Sequence, residues 1–198
     1  MKVLIAGATG AIGKPLLRYL QDAGHELFAL VRSPKAASEL QAKSVHGVLA
    51  DALDAASVSE VVPHIRPEVI VNELTSLPKH YTPEEMKVSA VRDKEVRVKG
   101  NANLLAAARA ANCRRYILQS SAFWYAPGPG PADETASFAF EASPGIAAGC
   151  RTYADWKRRH RNPGWRRCCY DTDFSTDPER GSAERGTLAN RFVNATCR

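Results

Sequence analysis

The chain has 198 residues, 44% of them hydrophobic, and a formal net charge of +6. That length suits one domain, or one domain with an appendage, and no apolar run is long enough to be expected as a membrane span or secretory signal, which points to a cytoplasmic protein. The charge is not a nucleic-acid signature: Lys and Arg number 16 against 15 Asp and Glu over residues 1–150, and 11 against 6 over residues 151–198, so no compact basic patch is expected in the body.

The chain opens on an apolar run of strand length, Val3 to Ala6, that ends in Gly7, Gly10 and Gly13. Residues Ala11 to Ala23 follow with the spacing of an amphipathic helix: Leu16, Leu17 and Leu20 share a face and Gly24 stands as the stop. Strand, glycine turn and helix N-terminus in that order suit a pyrophosphate. Glycines let the backbone turn and approach closely, while free N–H groups and the helix dipole meet the charge. The other reading of the same three glycines is a turn that only packs helix on strand.

A second strand, Glu26 to Val31, ends at Arg32. At this strand end a carboxylate suits two ribose hydroxyls and an arginine suits a 2′-phosphate, so Arg32 leans toward NADP; a solvated surface arginine is the alternative. A short helix over Lys35 to Gln41 leads to a third strand, Ser44 to Leu49, and then to Asp51. Asp51 has two readings, an acceptor for the adenine amino group or the N-cap of the helix that starts near Ala55. That helix runs from Ala56 to Ile65, Pro67 breaks the pattern, and Glu68 to Leu74 form a fourth strand. The loop from Thr75 to Pro78 then faces the nicotinamide half of a dinucleotide.

Residues 83–111 carry one long helical pattern whose alanine-rich end, Asn103 to Ala111, can pack closely on a sheet, with Asn112 as its stop. Arg114 to Ser121 read as a fifth strand that emerges onto Ser120 and Ser121. Five strands joined by short helical crossovers require a parallel sheet covered on both faces, a Rossmann-type doubly wound α/β architecture. The cysteines do not change this. Cys113 and Cys150 are isolated, Cys168, Cys169 and Cys197 lack zinc spacing, and no metal site is expected.

Gly7-x-x-Gly10-x-x-Gly13, Asp51 after the third strand, Asn103-Leu104-Leu105, and Ser120-Ser121 four residues before Tyr125 occur in order over roughly residues 1–155. In this they resemble the extended and atypical short-chain dehydrogenase/reductase superfamily, in particular its NAD(P)-dependent epimerase/dehydratase branch. The resemblance implies a cofactor site of Gly7, Thr9, Gly10, Ala11, Ile12, Gly13, Arg32, Asp51, Ala52, Leu74 and Thr75, holding NADP or NAD. It implies a small-molecule substrate with a carbonyl or carbinol carbon, sugar-nucleotide-like in class, no nucleic-acid or membrane partner, and pairing as a homodimer.

It also implies catalytic residues. Ser121 would hydrogen-bond the substrate oxygen, Tyr153 would act as acid and base, and Lys157, four residues on, would lower the tyrosine's pKa and hold the ribose. A tyrosine with its ordinary pKa near 10 is a poor base at neutral pH, and a nearby ammonium favours the phenolate. One position departs from the family: Arg97 stands three residues before Gly100, where an asparagine is usual. A non-catalytic NAD(P)-binding or sensing domain is the alternative function, and it needs only the glycine turn.

Residues 1–155 are thus expected as the dinucleotide-binding domain and 156–198 as an aberrant, poorly ordered tail. From Lys157 to Arg198 there is one leucine, one valine and no isoleucine, and no further strand is expected there. The resemblance implies that a sixth strand and a substrate subdomain belong in this place. Joining the last base of each codon to the first two of the next, residues 168–179 permit Leu-Leu-Arg-His/Tyr-Gly-Phe-Phe/Leu-Tyr-Gly-Pro-Gly, which resembles the family's sixth-strand segment. The same shift turns Trp156-Lys157 into Leu-Glu. A one-base slip near codons 150–156 is therefore expected, and with it Lys157 is an accident of the frame.

Overall fold

The computed structural model describes residues 1–80, 82–119, 125–128 and 137–139, and the backbone of 169–173. Strands β1 (Lys2–Ala6), β2 (Glu26–Val31), β3 (His46–Leu49), β4 (Val69–Asn72) and β5 (Arg115–Gln119) are all parallel to their neighbours, in the order β3-β2-β1-β4-β5. The strands β1 and β4 are buried almost throughout because the sheet is covered on both faces, which is why their sequences are continuous apolar runs. Alternate residues divide between the faces. Leu4, Ile70, Tyr116 and Leu118 pack with Val58, Val62, Leu104 and Ala108, whereas Val3, Ile5, Val71 and Ile117 pack with Leu16, Leu17, Leu20 and Leu40.

The helices begin where short polar side chains take their free N–H groups. Helix α1 (Gly13–Asp22) has no such cap, but Ser33 accepts from Ala36 N at 3.2 Å to open α2 (Pro34–Gln41). Asp54 accepts from Ala56 N at 3.0 Å to open α3 (Ala55–Ile65). Thr82 caps α4 (Pro83–Glu95), whose first turn carries Pro83, Glu84 and Glu85, residues that suit a positive helix end. A fifth helix, α5 (Asn101–Ala110), precedes β5. Gly24 at φ 75° and Asn112 at φ 52° follow α1 and α5 in left-handed conformations, as helix stops do.

Two expectations need correction. The single helical pattern over 83–111 is realised as α4, a π-helical turn (Val96–Gly100) and α5. The tail also contributes a strand: β6 (Cys169–Asp173) pairs antiparallel with β5, from Arg115↔Asp173 to Gln119↔Cys169. An edge strand is held by backbone N–H and C=O groups and needs no apolar run, so a search for hydrophobic side chains passes over it.

The order of the strands reverses at β1, which pairs with β2 on one side and β4 on the other. Open α/β sheets bind ligands in the crevice at the carboxyl ends of strands at such a switch point. Ala6 lies level with Leu30 and Asn72 across the ladders, so the residues that follow each strand emerge side by side. No described helix is long and apolar enough to cross a membrane.

Candidate functional site

A cleft of about 480 Å³ opens at this switch point. The strand-end residues Gly7, Thr9, Gly10, Arg32, Asp51, Ala52, Leu74 and Thr75 line its walls, with Glu73, Ser76, Arg92 and Val96. Eight of the eleven cofactor positions expected from the sequence thus come together. Ala11, Ile12 and Gly13 stand outside this wall, in the end of the turn and the first residue of α1.

The turn depends on glycine at two points. Gly7 has φ 91°, and a Cβ there would lie 2.6 Å from the Glu73 carbonyl oxygen; at Gly13 a Cβ would lie 2.6 Å from Ala8 Cα. Both are distances a real side chain does not reach, so Gly7 lets the end of β4 approach the turn and Gly13 lets the start of α1 pack on the turn residues Gly7 and Ala8. Gly10 N donates to Gly7 O at 3.0 Å and closes the loop. With no side-chain cap and no acidic residue in its first turn, α1 begins with a positive dipole end that no side chain offsets, an arrangement that suits an anion.

The flanking groups are separately fixed. Asp51 Oδ1 accepts from Leu53 N at 3.0 Å, a turn that shapes its own loop, and the cap of α3 is Asp54 rather than Asp51. Asn103 Nδ2 donates to the Ala52 carbonyl at 2.9 Å, so the Asn-Leu-Leu helix anchors the loop after β3. Arg32 is exposed in the cleft wall, at the position both of its sequence readings require. On the opposite side a buried network fixes the tip of β4. Asn72 Nδ2 donates to Tyr116 Oη at 3.0 Å and to Asn101 Oδ1 at 3.1 Å, Tyr116 Oη donates to Asn101 Oδ1 at 2.8 Å, and Asn72 Oδ1 accepts from Leu74 N at 3.0 Å. Burial pushes the Tyr116 hydroxyl well above its ordinary pKa, which keeps it a donor in this network.

The sequence reading missed the carboxyl groups of Asp93 and Glu73. Asp93 Oδ2 accepts from Arg97 Nε at 2.7 Å, and its Oδ1 accepts from Ser76 N at 2.6 Å, so one carboxylate ties the π-helical turn to the loop after β4. Arg97, which departs from the family's asparagine, has a structural use here. Glu73 is 6% exposed, and among the described residues neither carboxyl oxygen has a hydrogen-bond partner. Burial raises its pKa to about 8, against a lowering influence from Arg97. A carboxylate closing an apolar strand, in Val-Ile-Val-Asn-Glu, was the visible signal. The expected Ser121, Tyr153 and Lys157 lie outside the described residues, and among the described residues no cluster of His, Cys, Asp and Glu could hold a metal ion.

Residues 3–144 match the sequence profile of the NAD dependent epimerase/dehydratase family. The chain is 43% identical over 160 residues to a "3-diazoavenalumate denitrifying reductase" from Streptomyces sp, covering 80% of this chain and 51% of that protein. It is 33% identical over 94 residues to the "Probable pinoresinol-lariciresinol reductase 3" of Arabidopsis thaliana, covering 46% of this chain and 29% of that protein. Its fold matches a UDP-Glc/GlcNAc 4-epimerase from Campylobacter jejuni with a TM-score of 0.65 at 21% identity, over 80% of this chain and 48% of that one. A Thermus thermophilus UDP-glucose 4-epimerase in complex with NAD matches with a TM-score of 0.62 at 23% identity, over 80% and 51%. The chain thus spans no more than about half the length of these relatives.

Proposed function

This chain belongs to the NAD dependent epimerase/dehydratase family, and from that premise we propose that it is the dinucleotide-binding half of an NAD(P)-dependent oxidoreductase acting on a carbonyl or carbinol carbon of a small molecule. One observation carries the reading: the glycine turn that leads into α1 and the ends of β2, β3 and β4 line a single cleft. The residues fit a dinucleotide, since Gly7 and Gly13 leave no room for a Cβ and the turn offers backbone donors. Reduction, rather than epimerisation or dehydration, is favoured by the names of the two sequence relatives, both reductases.

In this reading the pyrophosphate lies on the turn from Gly7 to Gly13, the adenosine near Arg32, Asp51 and Ala52, and the nicotinamide half near Leu74 and Thr75. When bound, the cofactor gives or takes a hydride. Ser121 orients the substrate oxygen and Tyr153 moves the proton at that oxygen, with Lys157, in the frame as written, lowering the tyrosine's pKa. Arg32 favours NADP over NAD by meeting a 2′-phosphate with a charge-assisted bond. A second copy of the chain pairs on the outer face of α4 and the turn after it, where Val88, Val91 and Val98 are exposed; a monomeric mass in light scattering would refute that pairing.

Fluorescence titration with NADPH and NADH tests the reading. NADPH binds more tightly, and Arg32→Ala weakens NADPH about tenfold, equal to about 1.4 kcal/mol, while leaving NADH unchanged. Equal affinity of the two cofactors would overturn the choice of NADP. If the protein turns over a carbonyl substrate, loss of rate in Ser121→Ala and Tyr153→Phe with cofactor binding retained separates an enzyme from a sensing domain, which tolerates both changes.

A further inference from the structure

Glu73 is hard to account for as a packing residue. Burying a carboxyl group without hydrogen bonds is costly, and a leucine or methionine at the end of β4 would fill the same space at no such cost. Yet both oxygens of Glu73 are buried and, among the described residues, without a partner, while Asn72 beside it is fully engaged. The residue lies where the phosphate turn is tightest. Its backbone N donates to Ala6 O at 2.8 Å, and a Cβ at Gly7 would lie 3.1 Å from the Glu73 Cβ. It also lines the cleft with Gly7, Thr9 and Gly10.

Burial and the charges around it together determine its form. The turn from Gly7 to Gly10 contributes no titratable side chain, and Leu118 and Gln119 at the described end of β5 contribute none. From the helical side come Arg97, whose charge draws the carboxyl toward ionisation, and Asp93, which holds Arg97 at 2.7 Å. Arg92, Asp51 and Arg32 stand elsewhere in the cleft wall. Burial outweighs Arg97, so at neutral pH Glu73 is mostly the acid, with one O–H to donate.

We propose that Glu73 is a ligand-contacting residue of the cleft, whose neutral carboxyl group, closed off from solvent here, turns toward the cleft and donates a hydrogen bond to the pyrophosphate of the bound dinucleotide, and whose ionised form repels it. This rests on the reading of the cleft as a dinucleotide site. It supplies a use for the unpartnered group: an acid held neutral beside a phosphate turn is a donor, and the same group ionised brings a negative charge against two others. Binding then carries a pH dependence set by this one residue.

The test is the dissociation constant of NADPH and of NADH for the full chain between pH 6.5 and 9.5, for the wild type, Glu73→Gln and Glu73→Leu, with circular dichroism to verify folding at each pH. The wild type loses about tenfold in affinity between pH 7 and pH 9, as one proton lost from a group titrating near pH 8 requires. Glu73→Gln keeps an amide donor and binds with a flat profile near the wild-type affinity at pH 7, whereas Glu73→Leu is flat and weaker. A flat wild-type profile overturns the proposal whether or not either variant folds, as does a tenfold fall that persists in Glu73→Gln. Failure of the folded wild type to bind either cofactor at any pH overturns the dinucleotide reading as well, which distinguishes the two failures.

Discussion

Glu73 and Gly7 meet at the join between β1 and β4, where the backbone at position 73 restricts position 7 to glycine. Gly7 must lack a Cβ because the Glu73 carbonyl would lie 2.6 Å from one, and its φ of 91° disfavours other residues independently. Glu73 adds a pH dependence to stability itself. Its folded pKa of about 8 lies above the ordinary value of 4.5, so the folded state holds a proton that the unfolded state has lost. Stability from this group is greatest below pH 4.5 and falls as pH rises through 8. Urea denaturation at intervals from pH 5 to pH 8.5 should show the wild type losing roughly a few kcal/mol relative to Glu73→Gln; parallel profiles would show that Glu73 is ionised throughout. The glycines were legible in the sequence because few other residues tolerate such a turn. The isolation of Glu73 was not, because it depends on what packs around the side chain, which no local pattern encodes.

At the scale of elements, the sheet was legible because burial on both faces writes continuous apolar runs into β1 and β4, with turn residues between them. The β2 span and the end of α3 were read at the observed residues, while β3 and β4 proved shorter than their apolar patterns. The π-helical turn was not readable, since its residues suit an α-helix equally well. Its effect on the site is direct, because it carries Arg97, held by Asp93 of α4, and leads into α5 with Asn101 and Asn103. Asn101 joins Asn72 and Tyr116 in the network that fixes Leu74 N through Asn72. Tyr116→Phe leaves the buried Asn72 and the half-buried Asn101 each one partner short and should cost about 1–3 kcal/mol in chemical denaturation. A change below roughly 0.5 kcal/mol, the scatter of neutral substitutions, would mean that the network does not hold the tip of β4.

Over the whole molecule, one half of a family member is legible and the other is not. The residues after 156 change composition abruptly, yet a strand from within them, β6, completes the edge of the sheet beside β5. The shifted reading of the same codons yields a string resembling the family's sixth-strand segment, and we propose a one-base slip near codons 150–156 as its source. Verified DNA with an unbroken frame and no such ancestral reading would sink that proposal. The site at the carboxyl ends of β1 to β4 does not depend on the answer, because every described residue of the cleft precedes the tail. That this cleft receives a dinucleotide is tested most directly by amide NMR spectra of the full chain during titration with NADPH. The amides of Gly7, Thr9, Gly10, Asp51, Ala52, Glu73 and Leu74 should shift together, while those of the distant Val62 and Leu20 stay in place. Unchanged spectra at saturating cofactor, or shifts confined to residues away from the cleft, would contradict it.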